Sequence, residues 1–287
     1  MRMKKKLAVA SAVLASVLAL GACSSSSDGS DSATDESTLG ISGDTIKIGI
    51  KFDQPGLGLK DGDTYKGFDV DVAKYVANKL GYDDDHITWV EAISAQRETL
   101  IQNGSVDLVF ATYSITDARK EQVSFAGPYF IAGQDFLVSK DNTDITGPND
   151  LGSKILCSVE GSISAERIRD DYSKDVQLYP AQTYSECVEL LAAGSVDAVT
   201  TDDIILAGFA AQEQYADKFK IVGNPFTEEK YGVGLKKGNT ALCEAVNDAL
   251  TEMFTDGSWE KALSDNTPSS YTPNMKLNPP EFEGCDS

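Results

Sequence analysis

The chain has 287 residues, 25 of them basic and 45 acidic, for a formal charge of −20, and 41% of it is apolar. That is one large domain or two modest ones with enough apolar residues for a packed core, which excludes a disordered chain. The acidic excess argues against a nucleic-acid partner, and a single histidine, His86, leaves neither a His-based metal cluster nor a Ser-His-Asp triad.

Residues 1–22 read as a signal peptide. Arg2, Lys4, Lys5 and Lys6 precede an apolar run of 14 residues, Leu7 to Leu20, too short for a membrane helix, which needs about 20. The run ends Leu20-Gly21-Ala22-Cys23, which resembles a bacterial lipobox, so Cys23 is the expected lipidated N-terminus. Residues 24–40 are Ser, Asp, Gly and Thr with almost nothing apolar, a flexible tether of 17 residues with an end-to-end distance of about 20–25 Å. Removing residues 1–22 takes away four positive charges and leaves −24. No later stretch approaches membrane length, so the lipid is the expected anchor, on the outer face of the cytoplasmic membrane.

From Thr45 strands and helices alternate. Thr45 to Phe52 alternates with period two. Val72, Ala73, Val76 and Leu80 form one helical stripe that Gly81 stops. Ile87 to Val90 predicts a strand, Ser94 a cap for a helix to Asn103, and Val106 to Thr112 a strand, with Thr116 and Asp117 opening a helix. A second unit follows: strand 154–159, helix 164–172, strand 176–180, then Thr183-Tyr184-Ser185-Glu186 as a capping box for a helix ending at Gly194. Strand 197–201, helix 204–213, strands 220–222 and 230–235, and an amphipathic helix 239–256 complete the series. Trp89 and Trp259 read as core, and residues from Thr267 onward as a surface wrap. The alternation predicts α/β with largely parallel sheets.

Residues 100–112, LIQNGSVDLVFAT, echo residues 190–202, LLAAGSVDAVTTD, with six of 13 positions identical at an offset of 90. Each copy is a helix end, a Gly stop and a strand, so two lobes of similar construction are expected. Ligands of open α/β sheets bind beyond the carboxyl ends of strands. Thr112 and Asp202, at matching strand ends, are therefore expected to face one cleft from opposite sides.

Gly67-Phe68-Asp69-Val70-Asp71-Val72-Ala73-Lys74-Tyr75-Val76-Ala77-Asn78-Lys79-Leu80 resembles the signature of family 3 extracellular solute-binding proteins, which capture polar amino acids for ABC importers. Thr112-Tyr113-Ser114-Ile115-Thr116-Asp117-Ala118-Arg119 resembles that family's ligand-clamping segment, and residues 196–202 its second-lobe strand with an acidic end. The resemblance extends from about Thr45 to Leu263. Ser94-Ala95-Gln96-Arg97 and Tyr231-Gly232-Val233-Gly234-Leu235 look most like lipid-anchored glutamate-binding proteins of Gram-positive bacteria. The resemblance implies a two-lobed periplasmic-binding-protein fold of type II. Lobe 1 would be residues 41–137 plus 225–287 and lobe 2 residues 138–224, joined by two hinge strands near 136–139 and 222–226. Closure of the lobes on a ligand would be a population shift.

Four cysteines remain besides Cys23, and an even number outside the cytoplasm points to disulfides. Three pairings are possible; Cys157–Cys187 and Cys243–Cys285 would each lie within one lobe. No two sit at C-x-x-C spacing, so zinc is not expected, and no metal or cofactor is called for.

An amino acid needs a cation for its α-carboxylate and an anion for its ammonium. Arg119, with a planar fork that matches a carboxylate, and Thr112 and Ser114 are the candidates for the first. Asp202 is the candidate for the second, with helix capping as its alternative role. The resemblance assigns these same roles to the matching family positions. Arg97, a cation in a first helical turn where the macrodipole disfavours it, asks for a reason, and a second ligand carboxylate supplies one. Lys51 stands where the family's acidic-amino-acid binders carry a cation; a solvated strand-end lysine is the plainer alternative. Ser94, Ser162, Ser164 and Thr183, at helix starts, are further candidates or plain caps. Glutamate is thus the expected ligand, with aspartate or glutamine as alternatives. The expected partner is an ABC permease, and the protein is expected to be a monomer. A dehydratase on the same fold would need a free proton donor in the cleft, and an amino-acid sensor would look the same in sequence.

Overall fold

The computed structural model describes residues 39–172 and 174–285. The expected signal peptide, Cys23 and most of the tether lie outside the described residues. Two five-stranded sheets carry the fold. The first has the order β5-β1-β6-β13-β7, formed by β1 (Ile46–Ile50), β5 (Ile87–Glu91), β6 (Leu108–Val109), β7 (Ser124–Ala132) and β13 (Glu229–Leu235). The second has the order β10-β9-β11-β8-β12, formed by β8 (Gln134–Ser139), β9 (Ile155–Val159), β10 (Gln177–Ala181), β11 (Ala198–Asp202) and β12 (Phe219–Ile221). A meander of β2 (Asp53–Gln54), β3 (Gly58–Asp61) and β4 (Thr64–Lys66) follows β1. In each large sheet three neighbouring strands are parallel and the remaining two join antiparallel.

The sheets correspond position by position, with β6 equivalent to β11, so the sequence echo is a structural one. Its repeated Gly-Ser-Val-Asp does the same work twice. Gly104 and Gly194 turn the chain at φ +73° and +70°, a conformation that favours glycine. Val106 and Val196 are buried. Asp107 Oδ2 accepts from Lys47 N at 2.8 Å, and Asp197 Oδ2 from Ile155 N at 2.7 Å. Each aspartate thereby pins its strand to the neighbouring one.

The helices are α1 (Phe68–Lys79), α2 (Arg97–Gln102), α3 (Asp117–Lys120), α4 (Ile163–Arg167), α5 (Tyr184–Ala192), α6 (Asp203–Ala210), α7 (Thr240–Thr255) and α8 (Ser258–Asn266). α1 buries Phe68, Val72, Ala73 and Val76 on the first sheet, as its stripe predicts. Gly67 before it has φ +126°, and a Cβ there would lie 2.1 Å from Leu57 O, so only glycine fits. α7 is capped by Asn239, whose side chain accepts from Leu242 N. Trp259 is fully buried, donating Nε1–H to Tyr129 O at 2.9 Å, whereas Trp89 is half-buried beside Tyr65.

Several expectations change. The helix expected from Ser94 begins as a 3₁₀ turn, Ser94–Gln96, and Ser94 makes no capping bond. The strand expected over 106–112 pairs only at Leu108–Val109. The helix expected over 164–172 is α4 followed by a π turn, Ile168–Tyr172. Phe136–Ser139 lies inside β8, and the chain crosses between sheets at Gly133 and again between β12 and β13. These crossings run side by side: Gln134 N donates to Thr227 Oγ1 at 2.9 Å and Phe226 N to Gln134 O at 3.1 Å.

Cys157 is bonded to Cys187, tying β9 to α5, and Cys243 to Cys285, tying α7 to the tail. The tail covers the edge of β7. Asn278 exchanges hydrogen bonds with the Ile131 main chain, at 2.8 Å to both N and O, and Glu283 pairs with Lys120 and Lys230. An edge strand is so kept from pairing with another chain. No helix among the described residues is long and apolar enough to cross a membrane.

Candidate functional site

Strand ends of both sheets converge on a narrow cavity lined by Ser94, Arg97, Thr112, Ser114, Arg119, Ser162, Ile163, Ser164, Tyr184, Thr201, Asp202 and Ile205. Thr112 and Asp202 face it from opposite sheets, as the echo predicts.

Thr112 has φ +47°, rare for a β-branched residue and costly unless the surroundings enforce it. Asp69 enforces it. Its Oδ2 accepts from Thr112 N at 2.9 Å and its Oδ1 from the Tyr129 hydroxyl at 2.7 Å. The Thr112 hydroxyl lies 3.2 Å from Gln54 Oε1 and 2.7 Å from Ala111 O. Burial pushes the Asp69 carboxyl up to about 6 against these hydrogen bonds.

Two guanidiniums approach the cavity along Tyr113, with their central carbons 4.9 Å (Arg97) and 5.0 Å (Arg119) from its ring centroid. Arg97 is only 3% exposed. It donates to Ser94 Oγ at 3.2 Å and, at 3.5 Å, to Ala92 O. Burial, then the like charge of Arg119, pulls its pKa down. No carboxylate pairs with it among the described residues. Arg119 donates to Ser114 O at 2.7 Å and across the cleft to Gly161 O at 3.1 Å, with Glu98 3.5 Å from its Nε. Tyr113 donates its hydroxyl to the same Glu98 at 2.7 Å.

The opposite wall carries the anion. Asp202 Oδ2 accepts from Tyr231 at 2.5 Å, and its buried Oδ1 has no hydrogen-bond partner. Burial raises the Asp202 carboxyl to about 6; the Tyr231 hydrogen bond and, more weakly, Arg167 and Arg97 oppose the rise, and Asp203 adds to it. Asp202 sits at the N-cap of α6 but makes no side-chain cap bond. Asp203 instead accepts from Gly133 N and Ile204 N. Two guanidiniums and one carboxylate line the cavity, with Glu98 against Arg119 just outside it.

Eight of the ten residues expected to contact a ligand line this cavity; Lys51 and Thr183 do not. Lys51 is fully buried, because the β2–β3 turn closes over it: a Cβ on Gly58 would lie 2.6 Å from Lys51 O. Its Nζ has no hydrogen-bond partner and lies 3.9 Å from Asp53. Burial lowers its pKa to about 8, with Asp53 opposing and Arg97 assisting. Thr183 is the N-cap of α5, accepting from Glu186 N at 3.3 Å. Glu186 reaches back to Gln182 N rather than to Thr183, so the capping box is half-formed. Tyr184 beside Thr183, and Thr201 beside Asp202, were within reach of the sequence argument through those neighbours. Ile163 and Ile205 were not, since an apolar cavity wall looks like core in sequence.

The chain is similar to known amino-acid-binding proteins. The chain is 45% identical over 258 residues to the glutamate-binding protein GluB of Corynebacterium glutamicum strain ATCC 13032, covering 86% of this chain and 85% of that one. It is 35% identical to the ABC transporter glutamine-binding protein GlnH of Bacillus subtilis strain 168, covering 90% of this chain and 96% of that one. A solved structure of an ancestral arginine-binding protein bound to glutamine is 34% identical with a TM-score of 0.73, covering 79% of this chain and 99% of that chain. Residues 46–266 match the profile of bacterial extracellular solute-binding proteins, family 3. The chain therefore belongs to the family 3 bacterial extracellular solute-binding proteins, which are binding proteins and not enzymes.

Proposed function

We propose that the protein captures glutamate for an ABC importer by closing two lobes around it. The observation that carries this reading is the charge layout of the cavity: two guanidiniums on one wall face the unpartnered Asp202 Oδ1 on the other. Glutamate has the complementary set, two carboxylates and one ammonium. In this reading Arg119, with Thr112 and Ser114, takes the α-carboxylate. Asp202 takes the ammonium. Arg97 and Ser94 take the side-chain carboxylate, with Lys51 adding positive charge from behind the wall. Ser162, Ser164, Tyr184 and Thr201 supply hydroxyls. Glutamine would leave the buried Arg97 without a counterion, which is costly. GluB at 45% identity is named for glutamate and GlnH at 35% for glutamine, which favours the same choice.

The lobes are taken as residues 41–133 plus 225–287 and residues 134–224, the first boundary moved from 137 to the sheet crossing at Gly133. Cys23, lipidated after loss of residues 1–22, would tether the protein to the outer face of the membrane beside its permease. Calorimetric titration of residues 24–287, freed of bound ligand by unfolding and refolding with disulfides intact, tests the ligand. Glutamate binding at least tenfold tighter than glutamine is expected. A preference for glutamine or arginine would overturn the assignment of Arg97, and no binding of any amino acid would overturn the function.

A further inference from the structure

Outside the cavity the two halves touch at several places: Gly161 against the Ala95 backbone, Arg167 on Glu229, Tyr271 on Asp203, and β2 with the residue after it. Asp53 Oδ2 lies 3.3 Å from both the backbone N and the hydroxyl of Ser185, in the first turn of α5. The Ser185 hydroxyl is also 3.3 Å from Asp53 O. Asp53 thus binds an N–H of a helix N-terminus, the end that favours negative charge, from the opposite half. Two residues on, the Pro55 carbonyl rests against Gly208 of α6. A Cβ on Gly208 would lie 2.1 Å from Pro55 O, a backbone atom that cannot swing aside. Gly208 has none of the positive φ that would call for glycine, and it sits in a helix, where glycine is unfavourable. The close approach is the one reason the structure offers for glycine there.

We propose that Asp53–Pro55 and the α5–α6 face centred on Gly208 form a clasp that holds the protein closed and sets how long the ligand stays bound. The inference rests on ligand capture by lobe closure. Asp53 and Gly208 are positioning residues, since neither lines the cavity; Asp53 also lies 3.9 Å from Lys51, so retention is separated from ligand choice at Gly208. A side chain at Gly208 stops closure short, and the ligand contacts made from both walls are then never complete together.

The test is Gly208→Ala beside wild type and Gly147→Ala. The last is a control at extended backbone, φ −179°, where a Cβ meets nothing within 4 Å. Stopped-flow dissociation of glutamate, glutamine titration, solution scattering with and without glutamate, and ligand-free melting are measured on residues 24–287, which keep the buried Leu39. Gly208→Ala is expected to release glutamate at least tenfold faster and to keep the wild-type ratio of glutamate to glutamine affinity. It should stay expanded at saturating glutamate and melt, ligand-free, no lower than wild type. The control should match wild type throughout. Unchanged dissociation in Gly208→Ala, or a changed ligand ratio, would overturn the clasp while leaving the function standing. Failure of wild type itself to bind an amino acid would overturn the function and the clasp with it.

Discussion

Asp202, at the end of a strand of the second sheet, accepts the hydroxyl of Tyr231, from a strand of the first, at 2.5 Å. The bond spends one carboxylate oxygen on joining the two sheets and fixes the other in the cavity. An ammonium held by Asp202 therefore meets an acceptor whose direction is already set.

That acceptor must be ionised to hold an ammonium, and its pKa is raised to about 6, with Tyr231, Asp203, Arg167 and Arg97 around it. Affinity for amino acids is expected to be level near pH 7 and to fall by about tenfold per unit below 6 as Asp202 protonates, and glutamate alone should also weaken above 8 as Lys51 loses its charge. Stability of the ligand-free protein moves the other way. The folded-state pKa values of Asp69 and Asp202, about 6 each, lie above the ordinary 3.8. Their protonated forms favour the native state, and that contribution is full below pH 4 and lost as pH rises through 6. Calorimetry and melting curves from pH 5 to 8 should show the opposite slopes. Parallel slopes would count against Asp202 as the ammonium acceptor.

Removal of the two arginines should separate their roles. Arg119→Ala is expected to weaken every amino acid by at least a hundredfold, within the range for losing one member of a buried charge pair. Arg97→Ala is expected to weaken glutamate by a similar factor and glutamine by less than tenfold. Equal glutamate binding by Arg119→Ala and wild type would remove that assignment.

Asp69→Asn exchanges one acceptor oxygen for a donor that neither Thr112 N nor the Tyr129 hydroxyl can use as those bonds now stand. The unmet hydrogen bond costs about 1–3 kcal/mol, while loss of the buried charge relieves the cost of ionising Asp69 above pH 6, so the denaturation midpoint is expected to fall less between pH 5 and 8 than in wild type. Affinity should fall, because Thr112 would relax from its left-handed conformation. A stable variant with full affinity would show that Asp69 does not hold Thr112.

Thr183→Ala is expected to cost about 1 kcal/mol of stability, the usual worth of a cap, and to leave glutamate affinity within twofold. A large loss of affinity with unchanged stability would return Thr183 to the binding site.

The sequence carried the sheets, the echo and most of the cavity because these follow from short-range rules. Period-two strands, glycine stops and arginines at anomalous places can be read one segment at a time. It did not carry the fate of Lys51, which depends on a three-stranded meander, residues 53–66, with no strong hydrophobic period. Nor did it tell Ser94 from a helix cap, since a serine before a helical stretch looks alike whether it caps the backbone or accepts from Arg97. The crossing at Gly133 was hidden for a related reason: β7 and β8 are separated by a single residue, so no loop composition marks where one sheet gives way to the next.

The cavity's charges are divided by half: Arg97 and Arg119 come from segments that follow strands of the first sheet, and Asp202 from a strand of the second. Neither half alone offers a molecule of mixed charge more than one kind of handle. In the proposed reading a bound zwitterion would bridge a two-site assembly, its second contact made within one molecule at high effective concentration. Such a bridge has polarity: turned end for end, it would set carboxylate against Asp202 and ammonium against the arginines. The division of charge therefore acts as a compass for the ligand, fixing its direction before any shape is compared.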